Sequence, residues 1–152
     1  MLHKIDELIR VRKHLHANPE LSGQENQTSE YIFNYLKKTK ANEVIKITDT
    51  AIIAVFKSNV SGKTTVLRAD IDALPIQEVN VFEHRSKKEN VSHKCGHDGH
   101  TAILLGVANK LSKKPISSGV VILLFQPAEE NGEGAKSVLS SSFFKNISVD
   151  NV

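Results

Sequence analysis

Residues 93–100 combine three kinds of side chain that bind metal ions. They comprise three imidazoles, one thiol and one carboxylate, from His93, Cys95, His97, Asp98 and His100. Thiolate, imidazole and carboxylate are the ligands that zinc and neighbouring divalent metals prefer. Gly96 and Gly99 permit backbone turns tight enough for several of these side chains to converge. The spacing differs from that of a zinc finger, so it predicts an open catalytic site with further ligands from elsewhere in the chain.

Two apolar runs predict strands that are joined by a helix. Residues 64–69 and 119–125 are rich in β-branched and aliphatic side chains, which is typical of buried strands. Apolar residues recur at helical spacing between them, at 101–111. A strand–helix–strand crossover implies parallel strands that end at the same edge of a sheet. Open α/β sheets bind ligands at that edge, so we expect the site there.

Four carboxylates follow these two predicted strands. Asp70 and Asp72 come directly after the first, and Glu129 and Glu130 come shortly after the second. We expect both pairs to lie near residues 93–100, which precede the connecting helix. Adjacent carboxylates can divide their roles, one binding a metal ion and the other taking a proton from water. Each pair by itself is also typical of a strand end or a solvated surface, so the prediction depends on all three segments meeting.

The whole pattern predicts an α/β fold with a mixed, largely parallel sheet flanked by helices. Helical periodicity predicts helices at 3–17 and 24–38, and the Ser-x-x-Glu pattern at 22–25 predicts a capping box for the second. A strand at 51–56 is close enough in sequence to 64–69 to form a hairpin with it. The other predicted segments are a long loop at 76–94 and a short helix at 134–141.

Composition excludes several classes of protein. The 152 residues suit one domain, and 39% hydrophobic with 24% charged residues is ordinary for a globular protein. The net charge is +3, but the lysines are scattered, which argues against a nucleic-acid partner. A single cysteine excludes an internal disulfide. The charged N-terminus is unlike a signal peptide, and no run approaches the ~20 apolar residues that span a bilayer, so we expect a cytoplasmic protein without a membrane partner.

Four motifs resemble those of the N-acyl-amino-acid amidohydrolases. This family includes hippurate hydrolases and indole-acetyl-amino-acid hydrolases, and it belongs to the metallopeptidase superfamily that also contains aminoacylase and glutamate carboxypeptidase. The resemblance runs from residue 5 to the last residue. The motifs are Arg12-x-x-x-His16-x-x-Pro19-Glu20-Leu21, residues 68–75, residues 93–101, and residues 125–130 with Gly134-Ala135.

The resemblance implies metal-assisted hydrolysis of N-acyl amino acids or short peptides. It implies that Cys95, His97 and Glu130 are metal ligands and that Glu129 is the general base. Two divalent ions, zinc or manganese, would polarise the acyl carbonyl and acidify a water molecule. Glu129 would then remove the proton from that water and return it to the leaving amine.

Other residues of the motifs receive supporting roles from the resemblance. Asp70 and Asp72 stand where related peptidases carry His-x-Asp, in which the histidine binds metal and the aspartate orients it. Asp72 is accordingly a candidate catalytic residue, and the role of Asp70 is left open. Asp98 is a candidate support for a ligand, and His16 is expected to be structural.

Members of this family are much longer than 152 residues. They carry a further ligand histidine after a Val-Asp-x-Val/Ile segment, which residues 149–152 match, another near the C-terminus, and an inserted lid or dimerisation domain. Residues 1–152 are therefore predicted to form the N-terminal part of the catalytic domain, with a homodimer possible only in the full-length protein. We expect the isolated chain to bind metal incompletely, to lack measurable hydrolysis, and to leave the run at 119–125 partly uncovered.

Two alternatives come from other functional classes. Cys95 could be the nucleophile of a cysteine hydrolase, with His93 or His97 as its base. This alternative predicts inactivation by alkylation without dependence on metal, and it gives the Glu129-Glu130 pair no role. The chain could also be a non-catalytic fragment that binds metal weakly or not at all.

Overall fold

The computed structural model describes residues 2–152, with their side chains from residue 5 onward. Every predicted helix and strand is present with slightly different ends, whereas β1 and α5 were not predicted from the sequence. In chain order the elements are α1 (Leu2–Ala17), α2 (Asn26–Leu36), β1 (Glu43–Lys46), β2 (Ile52–Lys57), β3 (Thr64–Asp70), α3 (His97–Lys113), β4 (Val120–Gln126), α4 (Gly134–Ser140) and α5 (Ser142–Lys145).

The sheet has the strand order β1-β2-β4-β3. Strands β3 and β4 pair in parallel, as the crossover through α3 predicts. β2 is antiparallel to both β1 and β4. The sheet is therefore mixed, as predicted, but the expectation that it is largely parallel is wrong. The connection from β1 to β2 is too short for a crossover, which restricts that pair to the antiparallel arrangement.

The predicted hairpin between β2 and β3 does not form within residues 2–152, because β4 lies between these strands. The segment that connects them crosses the beginning of β4, where Ser58 N donates to Gly119 O at 3.0 Å. Gly119 has a φ of 76°, and a Cβ there would lie 2.2 Å from Lys63 O. The glycine permits this close crossing. Nearness in sequence was therefore misleading, since β4 pairs with both β2 and β3 and separates them in the sheet.

β4 is a central strand of the sheet, and its residues 122–126 are buried. Leu123 and Phe125 join the core formed with α1, α2 and α3, whereas Ile122 and Leu124 face the other side and pack with Val138 of α4. Full burial of each such side chain is worth about 1.5–3 kcal/mol. The expectation that this strand is left partly uncovered is wrong, because β2 and β3 flank it and helices cover it.

One edge of the sheet lies at β3, and the other lies at β1. Val66 N donates to Asn151 O at 2.9 Å, and Asn151 forms an isolated parallel bridge with Thr65. Leu67, in the same strand, is 38% exposed. Apolar exposure in the sheet therefore occurs at its edge strand and not at its centre.

The predicted capping box at 22–25 is wrong. Glu25 occupies the position before α2 but makes no side-chain capping bond in the described structure. Its Oε1 accepts instead from Gly23 N and Ala128 N, at 2.9 and 2.8 Å. Ser22 Oγ donates to Asp72. The Ser22 and Glu25 side chains therefore bond to groups other than the backbone amides that a capping box would use.

The connection from residue 71 to residue 96 contains no helix or extended strand within the described chain, as the predicted loop at 76–94 requires. Helix α3 begins at His97, four residues before the predicted start at 101. The residues at 95–97 therefore form the turn that starts this helix. Of the helices that the structure describes, none has the length and apolar character to cross a membrane.

Candidate metal centre

Cys95, His97 and Glu130 converge at the edge of the sheet. One ligand atom from each side chain lies within 4.8 Å of the other two. Cys95 and His97 come from the turn before α3, and Glu130 comes from the loop that follows β4. Gly96, between the two ligands of the turn, has a φ of 83°, which is accessible to glycine without strain. The topology therefore brings together the three predicted metal ligands.

The His97 ring is held with one nitrogen toward this group. Nδ1 lies 2.9 Å from the carbonyl oxygen of Asp72 and 3.2 Å from its Oδ1. Both are acceptors, so Nδ1 carries the hydrogen and Nε2 is available as a ligand atom. Nε2 lies 3.8 Å from Glu130 Oε1 and 3.9 Å from Glu129 Oε2. A carboxylate behind a histidine in this way fixes the tautomer and orientation of a metal ligand.

Asp72 also holds the loop that carries Glu130. Its buried Oδ2 accepts from Ser22 Oγ at 2.7 Å and from Glu130 N at 3.0 Å. Burial alone would raise the pKa of Asp72, but hydrogen bonds from His97, the Glu130 amide and Ser22 lower it to about 2. Asp72 is therefore an ionised carboxylate that orients one candidate ligand and anchors the backbone of another.

The surrounding carboxylates change the acidity of the other two candidate ligands. The hydrogen bond to Asp72 raises the pKa of His97 to about 8, despite burial. The neighbouring Glu130 carboxylate, together with burial and the nearby Glu129 and Asp72, raises the pKa of the Cys95 thiol to about 11. Both groups hold protons at neutral pH, and a bound cation would displace them.

The chemistry of these side chains fits a divalent metal ion. Thiol, imidazole and carboxylate together form a ligand set that zinc accepts. Glu130 Oε1 is buried, and among the described residues it has no hydrogen-bond partner. A buried carboxylate oxygen without a donor is costly, and a cation would satisfy it. Cys95 is exposed, so the site is accessible from solvent.

Glu129 lies beside this group and keeps more contact with solvent than Glu130. The Glu129 side chain is 40% exposed and that of Glu130 is 17% exposed. The preceding Ala128 has a φ of 52°, which is uncommon for a residue with a side chain. Its amide is fixed by the buried Glu25 at 2.8 Å. This turn directs the two adjacent carboxylates into different surroundings.

Asp70 does not join the candidate ligands. Its Oδ1 pairs with Arg68 Nη2 at 2.7 Å, and its carbonyl oxygen accepts from Thr101 Oγ1 at 3.1 Å. The geometry therefore gives the orienting position to Asp72 and a structural contact to Asp70.

Asp98 and His16 form a contact behind the turn. Asp98 Oδ2 accepts from Arg12 Nε at 3.0 Å and lies 2.8 Å from His16 Nδ1. Asp98 thus joins the first turn of α3 to α1, and its role as a support for a ligand stays a prediction. His93 is buried nearby, and burial lowers its pKa to about 4.

Ser22 and Glu25 are site residues that the sequence analysis missed. They brace Asp72 and Ala128 from the segment before α2. Leu21 forms a parallel bridge with Ala73, and Ala73 N donates to Glu20 O at 2.8 Å. Their position directly after the Pro19-Glu20-Leu21 motif was the sequence signal that could have identified them. A capping box was a simpler interpretation of the same residues.

The surroundings of Cys95 disfavour the cysteine hydrolase. A reactive thiol needs a lowered pKa, usually beside a histidine base, whereas carboxylates raise the pKa of Cys95. His97 Nδ1 is taken by Asp72. Neither ring nitrogen of His93 has a hydrogen-bond partner among the described residues, Cys95 included. These surroundings favour the prediction of a metal ligand over that of a nucleophile.

Comparison with known proteins identifies the family. The family model described as "Peptidase family M20/M25/M40" matches residues 66–152, more than half of the chain. The chain belongs to this peptidase family. The resemblance to amidohydrolases is thereby confirmed, since relatives with such names appear among its matches.

Individual relatives match nearly the whole chain. It is 42% identical to thermostable carboxypeptidase 2 of Saccharolobus solfataricus, over 93% of this chain and 37% of that protein. It is 45% identical to an N-acyl-L-amino acid amidohydrolase of Geobacillus stearothermophilus, over 82% of this chain and 34% of that protein. It is 40% identical to a hippurate hydrolase of Campylobacter jejuni, over 96% of this chain and 38% of that protein. The chain thus spans less than two-fifths of these relatives.

The fold agrees with a solved structure of the family. The YXEP protein of Bacillus subtilis, described as a dinuclear metal binding peptidase from the M20 family, superimposes with a TM-score of 0.91 and 38% identity. The match covers 97% of this chain and 42% of that protein. The mixed α/β fold with helices on its sheet is therefore confirmed.

Proposed function

We propose that this chain supplies part of the active site of a metal-dependent amidohydrolase that cleaves N-acyl amino acids or short peptides. The observation that carries the proposal is the convergence of Cys95, His97 and Glu130 beside a second carboxylate, Glu129. The names of the similar hippurate hydrolase and N-acyl-L-amino acid amidohydrolase support the choice of substrate class.

The metal is proposed to be a pair of divalent ions, zinc or manganese. The donor set of Cys95, His97 and Glu130 fits one such ion, and the solved relative is described as dinuclear. When bound, the ions supply Lewis acidity that polarises an amide carbonyl and makes water more acidic. The remaining ligands would come from residues outside this group of three.

Glu129 is the general base in this proposal. Its Oε2 is near His97 Nε2, and its partial exposure lets it meet a water molecule from solvent. In this role Oε2 accepts the proton of the attacking water and returns it to the leaving amine. Asp72 keeps Nε2 of His97 directed toward the metal by holding Nδ1. Glu130 contributes charge and a ligand oxygen, so the two adjacent glutamates have distinct tasks.

A chimera with a longer relative tests this proposal. Residues 1–152 would replace the matching segment of the Campylobacter jejuni hippurate hydrolase, and hydrolysis of hippurate and metal content would both be measured. We expect Glu129→Gln to keep the metal and abolish turnover, and Glu130→Ala to lose metal. Glu133→Gln, in the same loop and exposed, is the matched control. Equal metal loss in the Glu129 and Glu130 variants would contradict the division of roles.

The non-catalytic fragment is the second candidate, and the share of the relatives that the chain spans favours it for the isolated chain. That residues 1–152 are the N-terminal part of a catalytic domain stays a prediction, as do a homodimer of a longer protein, the absence of nucleic-acid and membrane partners, and a cytoplasmic location. We expect no hydrolysis by the isolated chain with added zinc or manganese. Chelator-sensitive turnover of about 1 per second or more would contradict this expectation.

A further inference from the structure

His16 lies between two buried carboxylates. The ring is at the end of α1 and is itself buried. Its Nδ1 lies 2.8 Å from Asp98 Oδ2, and its Nε2 lies 2.9 Å from Glu78 Oε2. Both carboxylates have only 1% of their side-chain surface exposed. One imidazole therefore joins two acidic side chains that are distant in sequence.

The two carboxylates that His16 contacts each have further donors. Asp98 Oδ2 already accepts from Arg12 Nε, and Glu78 Oε1 accepts from Lys94 Nζ and Asn80 Nδ2. Burial alone would raise the pKa of Glu78, but its bonds to Lys94 and His16 lower it to about 2. His16 thus bridges two carboxylates that each also hold a basic side chain, Arg12 on Asp98 and Lys94 on Glu78.

This network of polar contacts ends on both sides of the Cys95–His97 turn. Lys94, bound to Glu78, directly precedes Cys95, and Asp98 directly follows His97. Space beside Gly96 is open, since a Cβ built there would meet nothing within 4 Å among the described residues. Contacts that flank the turn therefore act together with the Asp72 contact to His97 in positioning its two ligand side chains.

We propose that His16 is a positioning residue for the candidate metal centre, where it holds both flanks of the Cys95–His97 turn through Glu78–Lys94 and Asp98. The inference rests on the proposed metal centre and assigns His16 no contact with substrate or metal. Removing the ring leaves two buried carboxylates without the side chain that joins them, which favours a local rearrangement of the turn. A merely structural His16 would instead affect overall stability and leave the ligand geometry unchanged.

Two measurements on the metal-free and Co²⁺-loaded 152-residue chain separate these possibilities. Hydrogen exchange of the amides at 95–99 reports the turn without metal, and thiolate-to-cobalt absorption reports binding at Cys95. We expect His16→Gln to accelerate exchange at 95–99 and to weaken Co²⁺ binding about tenfold, as supporting contacts of metal ligands do. Asn109→Ala, which removes a bond to Tyr35 from the same helix α3, is the matched control and should change neither.

A second variant distinguishes a local change at the turn from a global loss of folding. Lys94 is partly exposed, so Lys94→Met should fold, and it breaks only the flank next to Cys95. We expect faster exchange at Cys95 and a smaller loss of Co²⁺ affinity than in His16→Gln. Unchanged exchange and unchanged affinity in both variants would overturn the positioning role. Absence of cobalt–thiolate absorption in the unsubstituted chain would overturn the proposed metal centre instead, and hydrogen exchange alone would then decide whether His16 holds the turn.

Discussion

Asp72→Asn tests how protons and a metal ion compete for His97. The pKa of His97 is about 8 and not 6.5, mainly because of its hydrogen bond to Asp72. The ring must lose this proton before Nε2 binds a cation, so affinity should fall about tenfold per pH unit below pH 8. Cys95, with a pKa of about 11, releases a second proton over the same range. The total slope should be about a hundredfold per unit below pH 8 and about tenfold above it.

The substitution has two opposing effects on affinity. Asparagine keeps the shape of the side chain but lowers the pKa of His97 toward 6.5, so the steep region begins at a lower pH. It also removes the charge that orients the ring, at a cost of about 10–100-fold in affinity. Above pH 8 only this loss remains. Below pH 6.5 the lower pKa of His97 in the variant should raise its metal affinity about thirtyfold relative to the unsubstituted chain. The plots of affinity against pH for the two proteins should therefore approach each other at low pH.

A zinc titration against a competing chelator, repeated from about pH 6 to about pH 9, measures both effects. Asp70→Asn is the matched control, because this carboxylate pairs with Arg68 and contributes least to the His97 pKa among its named causes. We expect the control to keep the break in slope near pH 8. A constant difference between the unsubstituted chain and Asp72→Asn at every pH would refute the role of Asp72 in setting the acidity of His97.

Further predictions concern the thiol, the fold and the Ala128 turn. Cys95→Ser should weaken zinc binding, and zinc should protect Cys95 from alkylation; equal alkylation rates with and without zinc would exclude Cys95 as a ligand. Without metal, the raised pKa of His97 means that its bond to Asp72 stabilises the fold fully below pH 6.5 and loses about 2 kcal/mol as pH rises through 8, which urea unfolding at several pH values would detect. An equal loss in Asp72→Asn would disprove this link. Glu25→Ala should lower the free energy of unfolding by about 1–3 kcal/mol, because it leaves the buried Ala128 amide without its acceptor, and an unchanged denaturation midpoint would argue against this contact.

The strand–helix–strand crossover is the part of the fold that the sequence predicts best. Its strands are continuous apolar runs, its helix has a clear apolar periodicity, and the handedness and direction of such units are restricted. That restriction is enough to predict that Asp72, the 95–97 turn and Glu130 share one edge, because each directly follows or precedes an element of the crossover. The convergence of the candidate ligands therefore needed no information beyond the order of the elements.

The errors arose where a local pattern had a tertiary alternative. The Ser22–Glu25 pattern satisfies a capping box, yet Asp72 and the Ala128 amide offer these side chains buried partners instead. The predicted hairpin failed because strand pairing depends on which apolar strand competes for the same edge, and β4 pairs with both β2 and β3. That His16 is structural stays a prediction, and the contacts of both its ring nitrogens add a link to the turn that the sequence did not indicate.

Titration of the metal-free chain with Co²⁺ is the most direct test of the metal centre. We expect a saturable thiolate-to-cobalt absorption that reaches one ion per chain. The absorption should disappear in Cys95→Ser, weaken in Glu130→Ala, and remain unchanged in the control Glu133→Gln. Cobalt bound with the same affinity in all four proteins, or no thiolate absorption in the unsubstituted chain, would contradict a metal centre formed by Cys95, His97 and Glu130.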